Sequence, residues 1–314
     1  MTLREYLQEK TELLTESAIP DAENEVWVIL LTCTGRSKAE LRFLLPDSVE
    51  EAFPSEVRVY LEEVFRRRAG HEPLAYIVGH APFYDMEFSV GQGVLIPRFD
   101  SEILVETALA CLGFSEFTVG IPSETPMVSC WNKNSIEPVV IFDLCTGSGI
   151  LGITLAHQLA AKQIPCRVIL TEISQDAAAF AQKNVETLIG KQSRTDVKVE
   201  VADLWPQTAE KADLIVSNPP YIPQSQMQGL LPEVKEHEPA LALTDGGDGL
   251  SMYRRIFSGV GRYLKTGGAL LLEHGFDQAQ AVRELAGERW EKITCIQDYG
   301  QQDRVTCGIY RGEA

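Results

Sequence analysis

The feature that most constrains the fold of this chain is an alternation of short apolar runs and helical patterns after residue 138. The runs are rich in Val and Ile: PVVIFDL, RVILTEI, VKVEVADL and DLIVSNP. Helical patterns at about 150–161, 174–188 and 251–264 lie between or after them. Strands that alternate with helices form a mainly parallel sheet covered on both faces. The sequence therefore predicts an α/β fold.

The last part of the chain breaks this alternation. After GALLLEHG and a helix near 277–287, the runs EKITCIQDY and DRVTCGIYR are separated only by a short loop that contains Gly. Strands this close in sequence pair as a hairpin. We therefore expect an antiparallel strand in the otherwise parallel sheet.

Residues 1–72 show helical spacing without any strand pattern. The first predicted helix begins after a Thr2 cap, and others cover about 21–31, 37–45 and 55–68. The expected structure of this N-terminal domain is a small helical bundle.

The segment that follows predicts a linker. Residues 73–97 contain the short β-like pieces PLAYIVGH, PFYDMEFSV and VLIPR, which indicate a β-hairpin. A helix is expected to begin near Asp100-Ser101-Glu102, where an Asp-Ser cap meets an acidic first turn, and to form the start of a second domain, residues 98–314. Residues 113–137 have several turn formers and no clear periodicity, which predicts an exposed insertion.

Composition excludes several classes of protein. An apolar fraction of 45% and a charged fraction of 23% exclude wholesale disorder. A net charge of −17 argues against broad nucleic-acid binding, which depends on basic residues that neutralise phosphates. The seven cysteines without a C-x-x-C pair indicate a reducing compartment, and the histidine spacing predicts no metal site. Since no apolar run reaches the ~18 residues of a membrane helix, we expect a cytoplasmic protein without a membrane partner.

A glycine-rich turn follows the predicted strand Val139–Leu144, with the sequence Asp143-Leu-Cys-Thr-Gly147-Ser-Gly149-Ile-Leu-Gly152. Such a turn lets backbone N–H groups and a helix N-terminus approach a ligand closely. With Glu172 at the end of the next strand, it fits both a dinucleotide site and an S-adenosylmethionine site.

Two features favour S-adenosylmethionine. Asp143 can accept hydrogen bonds from the ammonium group of its methionine part, whereas a carboxylate here repels a pyrophosphate. The terminal hairpin is typical of methyltransferases rather than of dehydrogenases. Glu172 is then expected on the ribose hydroxyls, and Asp203, at the end of the third strand, is expected beside the adenine.

The strongest chemical motif is Asn218-Pro219-Pro220-Tyr221, directly after the predicted strand Asp213–Ser217. The two prolines stop strand pairing and keep the backbone extended. An Asn oxygen and a carbonyl of the Pro pair can accept both hydrogens of a planar NH2 group, which lies against the Tyr221 ring. The motif therefore selects the exocyclic amine of adenine or cytosine, or a glutamine amide, and holds its nitrogen in line with a sulfonium methyl.

These segments resemble the HemK/PrmC family of protein-(glutamine-N5) methyltransferases, which modify peptide chain release factors. The matching segments are RRRAGHEPLAYIVGHAPFYDMEFSVGQGVLIPRFDSEILVE (66–106), DLCTGSGILGITLA (143–156), Glu172, VADLW (201–205), VSNPPYI (216–222) and HEPALALTDGGDGLSMYRRI (237–256). NPPY is shared with adenine N6-methyltransferases, but the segment from PLAYIVGH to VLIPR is specific to this family. The match covers nearly the whole chain.

The resemblance implies a seven-stranded, Rossmann-like methyltransferase domain joined by a β-hairpin to an N-terminal substrate-docking bundle. It implies that a Gly-Gly-Gln glutamine of a class-I release factor binds at Asn218–Tyr221, and we expect a monomer. The residues implied to line S-adenosylmethionine are Cys145, Thr146, Gly147, Ser148, Gly149, Glu172, Leu204 and Asn218.

The chain departs from the family pattern at four positions. Phe99 and Ser101 stand where the family usually has Pro and Thr, Cys145 where it has Gly, and Glu172 where Asp is commoner. The main alternative function is an adenine-N6 nucleic-acid methyltransferase, which needs a basic face and usually a target-recognition domain. A dinucleotide oxidoreductase, a non-enzymatic assembly module and a ribosomal-protein glutamine methyltransferase are weaker alternatives.

Overall fold

The computed structural model describes residues 1–114, 116, 125–190 and 194–312. The chain forms two compact units, of which the first comprises Met1–His80 and Leu231–His237 and the second Ala81–Leu230 and Glu238–Ala314. In chain order the α-helices are α1 (Leu3–Glu16), α2 (Ala22–Thr34), α3 (Lys38–Phe43), α4 (Val49–Ala52), α5 (Ser55–Ala69), α6 (Leu74–Val78), α7 (Glu102–Cys111), α8 (Ile150–Ala161), α9 (Gln175–Asn184), α10 (Pro232–His237), α11 (Ala240–Leu243), α12 (Ser251–Tyr263) and α13 (Ala279–Ala286). The strands are β1 (His80–Phe83), β2 (Met86–Ser89), β3 (Val139–Leu144), β4 (Cys166–Glu172), β5 (Thr195–Val201), β6 (Ala212–Ser217), β7 (Leu264–Glu273), β8 (Trp290–Gln297) and β9 (Asp303–Tyr310).

The helices of the first unit pack around a core of their own, in which Leu3, Ile29, Leu61 and Phe65 are fully buried. The predicted helices in this region are confirmed. The Thr2 cap is confirmed as well, because its side chain accepts a hydrogen bond from the backbone N–H three residues later. Helix α4 was not predicted, since four residues are too few to show a period.

The β-like reading of PLAYIVGH is wrong, because Leu74–Val78 forms helix α6. The helix begins after Pro73 and ends at Gly79, whose φ of 83° is the left-handed conformation of a helix C-terminus. Both signals are present in the sequence, but the apolar run between them is too short to separate a helix from a strand by periodicity.

Arg68 ties the separate segment Leu231–His237 into the first unit. Its guanidinium is 5% exposed and pairs with Glu25 at 2.6 Å and with Glu233 of α10 at 2.8 Å. A buried guanidinium needs such partners, because an unpaired charge is costly away from water. The first unit therefore includes a piece of chain that its sequence position does not suggest.

The second unit contains a seven-stranded sheet in the order β5-β4-β3-β6-β7-β9-β8. Neighbouring strands from β5 to β7 are parallel, whereas β9 is antiparallel to both β7 and β8. Along β3, Val139 and Ile141 face one apolar core while Val140 and Phe142 face another. The predicted α/β fold with helices on both faces and a terminal antiparallel hairpin is confirmed.

Strand register brings the functional segments to one edge of this sheet. Leu144 of β3 is paired with Thr171 of β4 and with Ser217 of β6, and Ser217 is in turn paired with Leu272 of β7. Because parallel strands end at the same edge, the residues that follow these four positions form one cleft.

Two further expectations need correction. The hairpin predicted in 73–97 is formed by β1 and β2, but Val94–Pro97 are not a strand. Of the predicted insertion 113–137, residues 115 and 117–124 lie outside the described residues, and the described part is not wholly exposed, since Phe114 and Val128 are buried in the core. Within the ranges that the structure describes, no helix has the length and apolarity needed to span a bilayer.

Candidate functional site

The loop after β3 is organised by Asp143, whose side chain is fully buried beneath it. One carboxylate oxygen accepts hydrogen bonds from the Thr146 hydroxyl at 2.5 Å and from the Gly152 N–H at 2.9 Å. Burial raises the pKa of the Asp143 carboxyl to about 7, although these donors oppose the shift. The residue thus shapes the loop from below, and it is not among the residues that line the cavity described below.

The conformation of the loop explains its glycines. Gly147 and Gly149 have φ values of +58° and +89°, where side chains are strained. A Cβ on Gly152 would collide with Leu170, so this glycine lets α8 pack closely on β4. Cys145 also has a left-handed φ, +57°, which accounts for the glycine usual in the family at this position.

Glu172, at the end of β4, links the next strand to this loop. Its carboxylate accepts hydrogen bonds from the Gly147 N–H and the Ser174 N–H, both at 2.9 Å. A carboxylate has about four acceptor positions, so these two bonds leave capacity for ligand hydroxyls. The residue lies on the cavity wall, where the sequence predicted a ribose contact.

Asn184 supports the loop from a distant segment, and no sequence motif identifies it. Its side chain is 1% exposed, and its amide nitrogen donates to the carbonyls of Ser148 at 2.9 Å and Ser89 at 3.1 Å. Its oxygen accepts from the Ser89 N–H at 2.7 Å. One amide therefore joins the glycine-rich loop to strand β2.

The loop after β5 contributes Leu204, which is buried and has a φ of +75°. Its carbonyl accepts a hydrogen bond from the Thr171 hydroxyl at 2.7 Å. Beside it, Asp203 pairs with Arg255 of α12 at 2.8 Å. Arg255, which sequence analysis missed, thus joins the wall on the side expected to hold the adenine.

Asn218, in the turn after β6, is held in place through its own side chain. Its amide nitrogen donates to the Ser101 hydroxyl at 3.3 Å, and Ser101 is fully buried at the start of α7. Because a primary amide is planar, the Asn218 oxygen points away from that partner. The predicted side-chain cap is wrong, since Ser101 makes no capping bond to α7.

The chain after this turn is held by distant groups. The Tyr221 carbonyl accepts a hydrogen bond from the Gln278 side chain at 2.9 Å, and the Ile222 N–H donates to the Leu243 carbonyl at 2.9 Å. A Cβ on Gly249 would collide with the same Tyr221 carbonyl. The Tyr221 ring packs against the core beside Tyr253, and burial raises the pKa of its phenol.

These segments enclose a cavity of about 170 Å³. The predicted residues on its wall are Cys145, Thr146, Gly147, Ser148, Glu172, Asp203, Leu204, Asn218 and Pro220. The predicted residues Asp143, Gly149, Pro219 and Tyr221 lie beside or beneath it rather than on the wall. Their direct ligand contacts stay predictions.

Glu273 is the most consequential residue that sequence analysis missed. It ends β7 next to the Asn218 turn, and its side chain is 1% exposed. Burial raises the pKa of its carboxyl to about 7, while Ser101 and Asn218 are hydrogen-bond donors that oppose the shift. A lone Glu at a strand end carries no sequence signal, because only the sheet register shows what lies beside it.

The cavity fits S-adenosylmethionine. The Asp143 carboxyl lies beneath the loop where a positive methionine end is expected, and one of its oxygens has no hydrogen-bond partner among the described residues. Glu172 offers acceptors for ribose, and Leu204 and Met252 offer apolar surface for a base. The Methyltransferase small domain family model matches residues 122–248. Fold and site thus define an S-adenosylmethionine-dependent methyltransferase.

Comparison with known proteins narrows this class. The PrmC N-terminal domain model matches residues 5–79. Release factor glutamine methyltransferases of Haemophilus influenzae and Moorella thermoacetica are 32% and 34% identical, covering 99% and 100% of this chain and 100% of each relative. The chain therefore belongs to the release factor glutamine methyltransferase family.

Solved methyltransferase structures match at lower similarity. A T. thermophilus 16S rRNA methyltransferase in complex with AdoMet and guanosine is 16% identical, with a TM-score of 0.46, over 74% of this chain and 50% of that chain. An Agrobacterium tumefaciens protein described as an O-methyltransferase is 18% identical, with a TM-score of 0.41, over 67% of this chain and 82% of its own.

Proposed function

We propose that this enzyme methylates the side-chain nitrogen (N5) of the glutamine in the Gly-Gly-Gln motif of class-I peptide chain release factors. Relatives that carry release factor glutamine methylation in their names match the chain from end to end. The observation that carries the proposal is the direction of the Asn218 amide, whose nitrogen is held by Ser101. Its oxygen is then free to accept a hydrogen from a substrate NH2 group.

Binding and orientation account for the chemistry. When bound, S-adenosylmethionine supplies an electrophilic sulfonium methyl. An amide nitrogen is a weak nucleophile, so Asn218 and a carbonyl of Pro219 or Pro220 must fix its two hydrogens and direct its face toward that methyl. As the C–N bond forms and the S–CH3 bond of the cofactor breaks, leaving a neutral thioether, positive charge grows on the nitrogen. These acceptors would stabilise it until a proton leaves to water.

The cofactor side of the cavity has a different task. We assign Glu172 to the ribose, Asp203 and Leu204 to the adenine, and Cys145, Thr146, Gly147, Ser148 and Gly149 to the methionine part. Asp143 acts on the same end through its charge and through the loop that it shapes. The backbone of this loop is held before any ligand arrives, which lowers the entropic cost of binding.

The second candidate function is adenine-N6 methylation of nucleic acid, because the same turn can accept both hydrogens of an adenine amine. The net charge of −17 disfavours it. Incubating the purified enzyme and labelled S-adenosylmethionine with release factor, DNA or RNA separates the two. Mass spectrometry should find one added methyl group on the Gly-Gly-Gln peptide, whereas label on nucleic acid and none on release factor would overturn the proposal.

The N-terminal helical unit is proposed to dock the substrate protein. A single glutamine offers little binding energy, so selection of one protein depends on contacts away from the reacting nitrogen. Deleting residues 1–70 should sharply lower kcat/KM on release factor, with little change on a short Gly-Gly-Gln peptide or in cofactor affinity. Equal losses on protein and peptide would contradict docking.

The enzyme is further proposed to work as a monomer in the cytoplasm, without direct contact to nucleic acid. The seven free cysteines agree with a reducing compartment, and the acidic net charge agrees with the absence of nucleic-acid contact.

A further inference from the structure

Glu273 is a buried carboxyl group with one oxygen that lacks a hydrogen-bond partner among the described residues. Its side chain is 1% exposed, and the oxygen without a partner is Oε2. A buried, unsatisfied carboxyl oxygen is costly, and a native structure that retains one calls for an explanation. The protein has placed this group at the carboxyl edge of the sheet, where the reaction is proposed to occur.

The register of the sheet makes Glu273 a neighbour of the catalytic amide. Ser217 of β6 is paired with Leu272 of β7, so Asn218 and Glu273 are the next residues on two adjacent strands. The carboxyl of Glu273 faces two hydrogen-bond donors, the hydroxyl of Ser101 and the amide of Asn218. Ser101 in turn accepts from the Asn218 nitrogen at 3.3 Å.

The surrounding charges leave this contact intact. Arg304 is a cation that acts on Glu273, but it forms its own ion pairs with Asp298 at 3.0 Å and with Asp100 at 3.5 Å. The Glu273 backbone carbonyl is separately occupied by the Tyr253 hydroxyl at 2.7 Å. Among the described residues, the Glu273 carboxyl therefore has no ion-pair partner that would compete with Ser101 and Asn218.

We propose that Ser101 and Glu273 are positioning residues that hold the nitrogen end of the Asn218 amide and thereby aim its oxygen at the substrate NH2 group. A carboxylate can only accept hydrogen bonds. It therefore pairs with the amide nitrogen, which donates, and repels the amide oxygen, which is also an acceptor. Ser101 completes the arrangement, because its hydroxyl oxygen accepts from the Asn218 nitrogen at 3.3 Å, which leaves its proton for the neighbouring Glu273 carboxyl. This inference rests on the proposed glutamine methylation.

The same chain of hydrogen bonds has an electrostatic consequence. Hydrogen bonds in series polarise one another, so negative charge on Glu273 makes the Asn218 oxygen a stronger acceptor. The positive charge that develops on the substrate nitrogen during methyl transfer is stabilised through that oxygen. The effect belongs to the transition state, so it should appear in kcat rather than in KM.

The test compares Ser101→Ala, Ser101→Thr and Glu273→Gln in the full-length enzyme, with release factor as substrate. Ser101→Ala and Glu273→Gln should each lower kcat about tenfold, the effect of one lost charge-assisted hydrogen bond. Their KM for release factor and their cofactor Kd should stay within about twofold of wild type. Ser101→Thr keeps the hydroxyl and should recover most of the lost rate.

Matched controls separate positioning from structural support. Thr107→Val removes a buried hydroxyl of α7 that bonds only within its own helix, to the Ile103 carbonyl. Asp213→Asn removes a buried carboxylate at the opposite end of the sheet, where it accepts from the Val140 N–H at 2.9 Å and pairs with Lys265 at 2.8 Å. Both controls should retain kcat, and calorimetric titration of S-adenosylmethionine gives the folded fraction of every variant.

The outcomes are distinct. If wild type methylates release factor and Ser101→Ala and Glu273→Gln keep its kcat, the positioning role is wrong while the proposed function stands. If Ser101→Thr is as slow as Ser101→Ala, or the controls lose as much kcat, the effect is structural and the inference is again overturned. If wild type itself leaves release factor unmodified, the proposed function has failed.

Discussion

Two turns at the same edge of the sheet hold their functional groups in opposite ways. The glycine-rich loop after β3 is fixed through its backbone, by the side chains of Asp143, Glu172 and Asn184. In the proposed function the turn after β6 acts through the Asn218 side chain, whose nitrogen donates a hydrogen bond to Ser101. One turn presents main-chain groups to a ligand, and the other presents a single amide.

This difference predicts how the two turns respond to substitution. A loop that binds a ligand through its backbone N–H groups should tolerate a change of side chain such as Cys145→Gly. A turn that acts through one amide should not tolerate the loss of Asn218.

The largest effect is expected from Asn218→Ala. The substitution removes the amide that the second turn exists to present, so kcat on release factor should fall by ~10² or more. Cofactor affinity, measured by calorimetry, should change little, because the glycine-rich loop is held independently. Asn132→Ala, in an exposed loop, is the matched control. A folded Asn218→Ala enzyme with near-normal turnover would show that the NH2 clamp is wrong.

The corresponding change on the cofactor side is Glu172→Ala. It removes the acceptor of the Gly147 N–H and the predicted ribose contact together. Cofactor binding should weaken at least about tenfold, because a charge-assisted hydrogen bond to the ribose is lost and the ribose hydroxyls are left without a partner. Isothermal titration measures it directly. Unchanged affinity, or preferential binding of NAD, would contradict the assignment of this cavity.

A pH profile tests the second turn, because the neighbouring Glu273 is titratable. Saturating S-adenosylmethionine removes the effect on cofactor binding of Asp143, whose pKa is also raised to about 7. The pKa of Glu273 is raised to about 7, so the carboxylate forms as pH rises through that value. The facing groups are the Asp100 side chain, Arg304 and the phenols of Tyr221 and Tyr253. The pKa values of Arg304 and of both phenols are raised, so these three groups keep one charge state across this range. We expect kcat to rise several-fold between about pH 6 and 8, and Glu273→Gln to flatten the profile. An unchanged pH profile in that variant would mean that a group other than Glu273 causes the pH dependence of kcat.

The smallest effect is expected from Cys145→Gly. Glycine adopts the left-handed conformation at position 145 without strain, which stabilises the folded state by about 1 kcal/mol. The larger backbone entropy of glycine in the unfolded chain offsets this gain. Stability, measured by denaturant unfolding, should change by less than about 1 kcal/mol, and cofactor affinity should stay within about threefold. A loss of affinity comparable to that of Glu172→Ala would mean that this loop binds through its side chains after all.

Much of the fold and part of the site could be predicted from the sequence. The alternation of strands and helices, the terminal hairpin and the two motifs are local patterns of apolar periodicity, glycine and proline. The supports could not be predicted in the same way: Asn184, Ser101 and Glu273 lie in segments distant from the atoms they hold. Their partners are defined by strand register and helix packing, which no single segment encodes. The burial of Asp143 beneath the glycine-rich loop likewise depends on packing between segments, and its contact with the methionine part of the cofactor stays a prediction.

The most direct test of the account is a crystal structure of the full-length enzyme with S-adenosylhomocysteine and a Gly-Gly-Gln peptide. The account predicts the glutamine side-chain nitrogen at about 2.9 Å from the Asn218 oxygen, with the Asn218 nitrogen still on Ser101. It also predicts that a carbonyl of Pro219 or Pro220 accepts the second hydrogen. A glutamine bound with its carbonyl toward Asn218, or outside hydrogen-bond reach of it, would contradict the central claim.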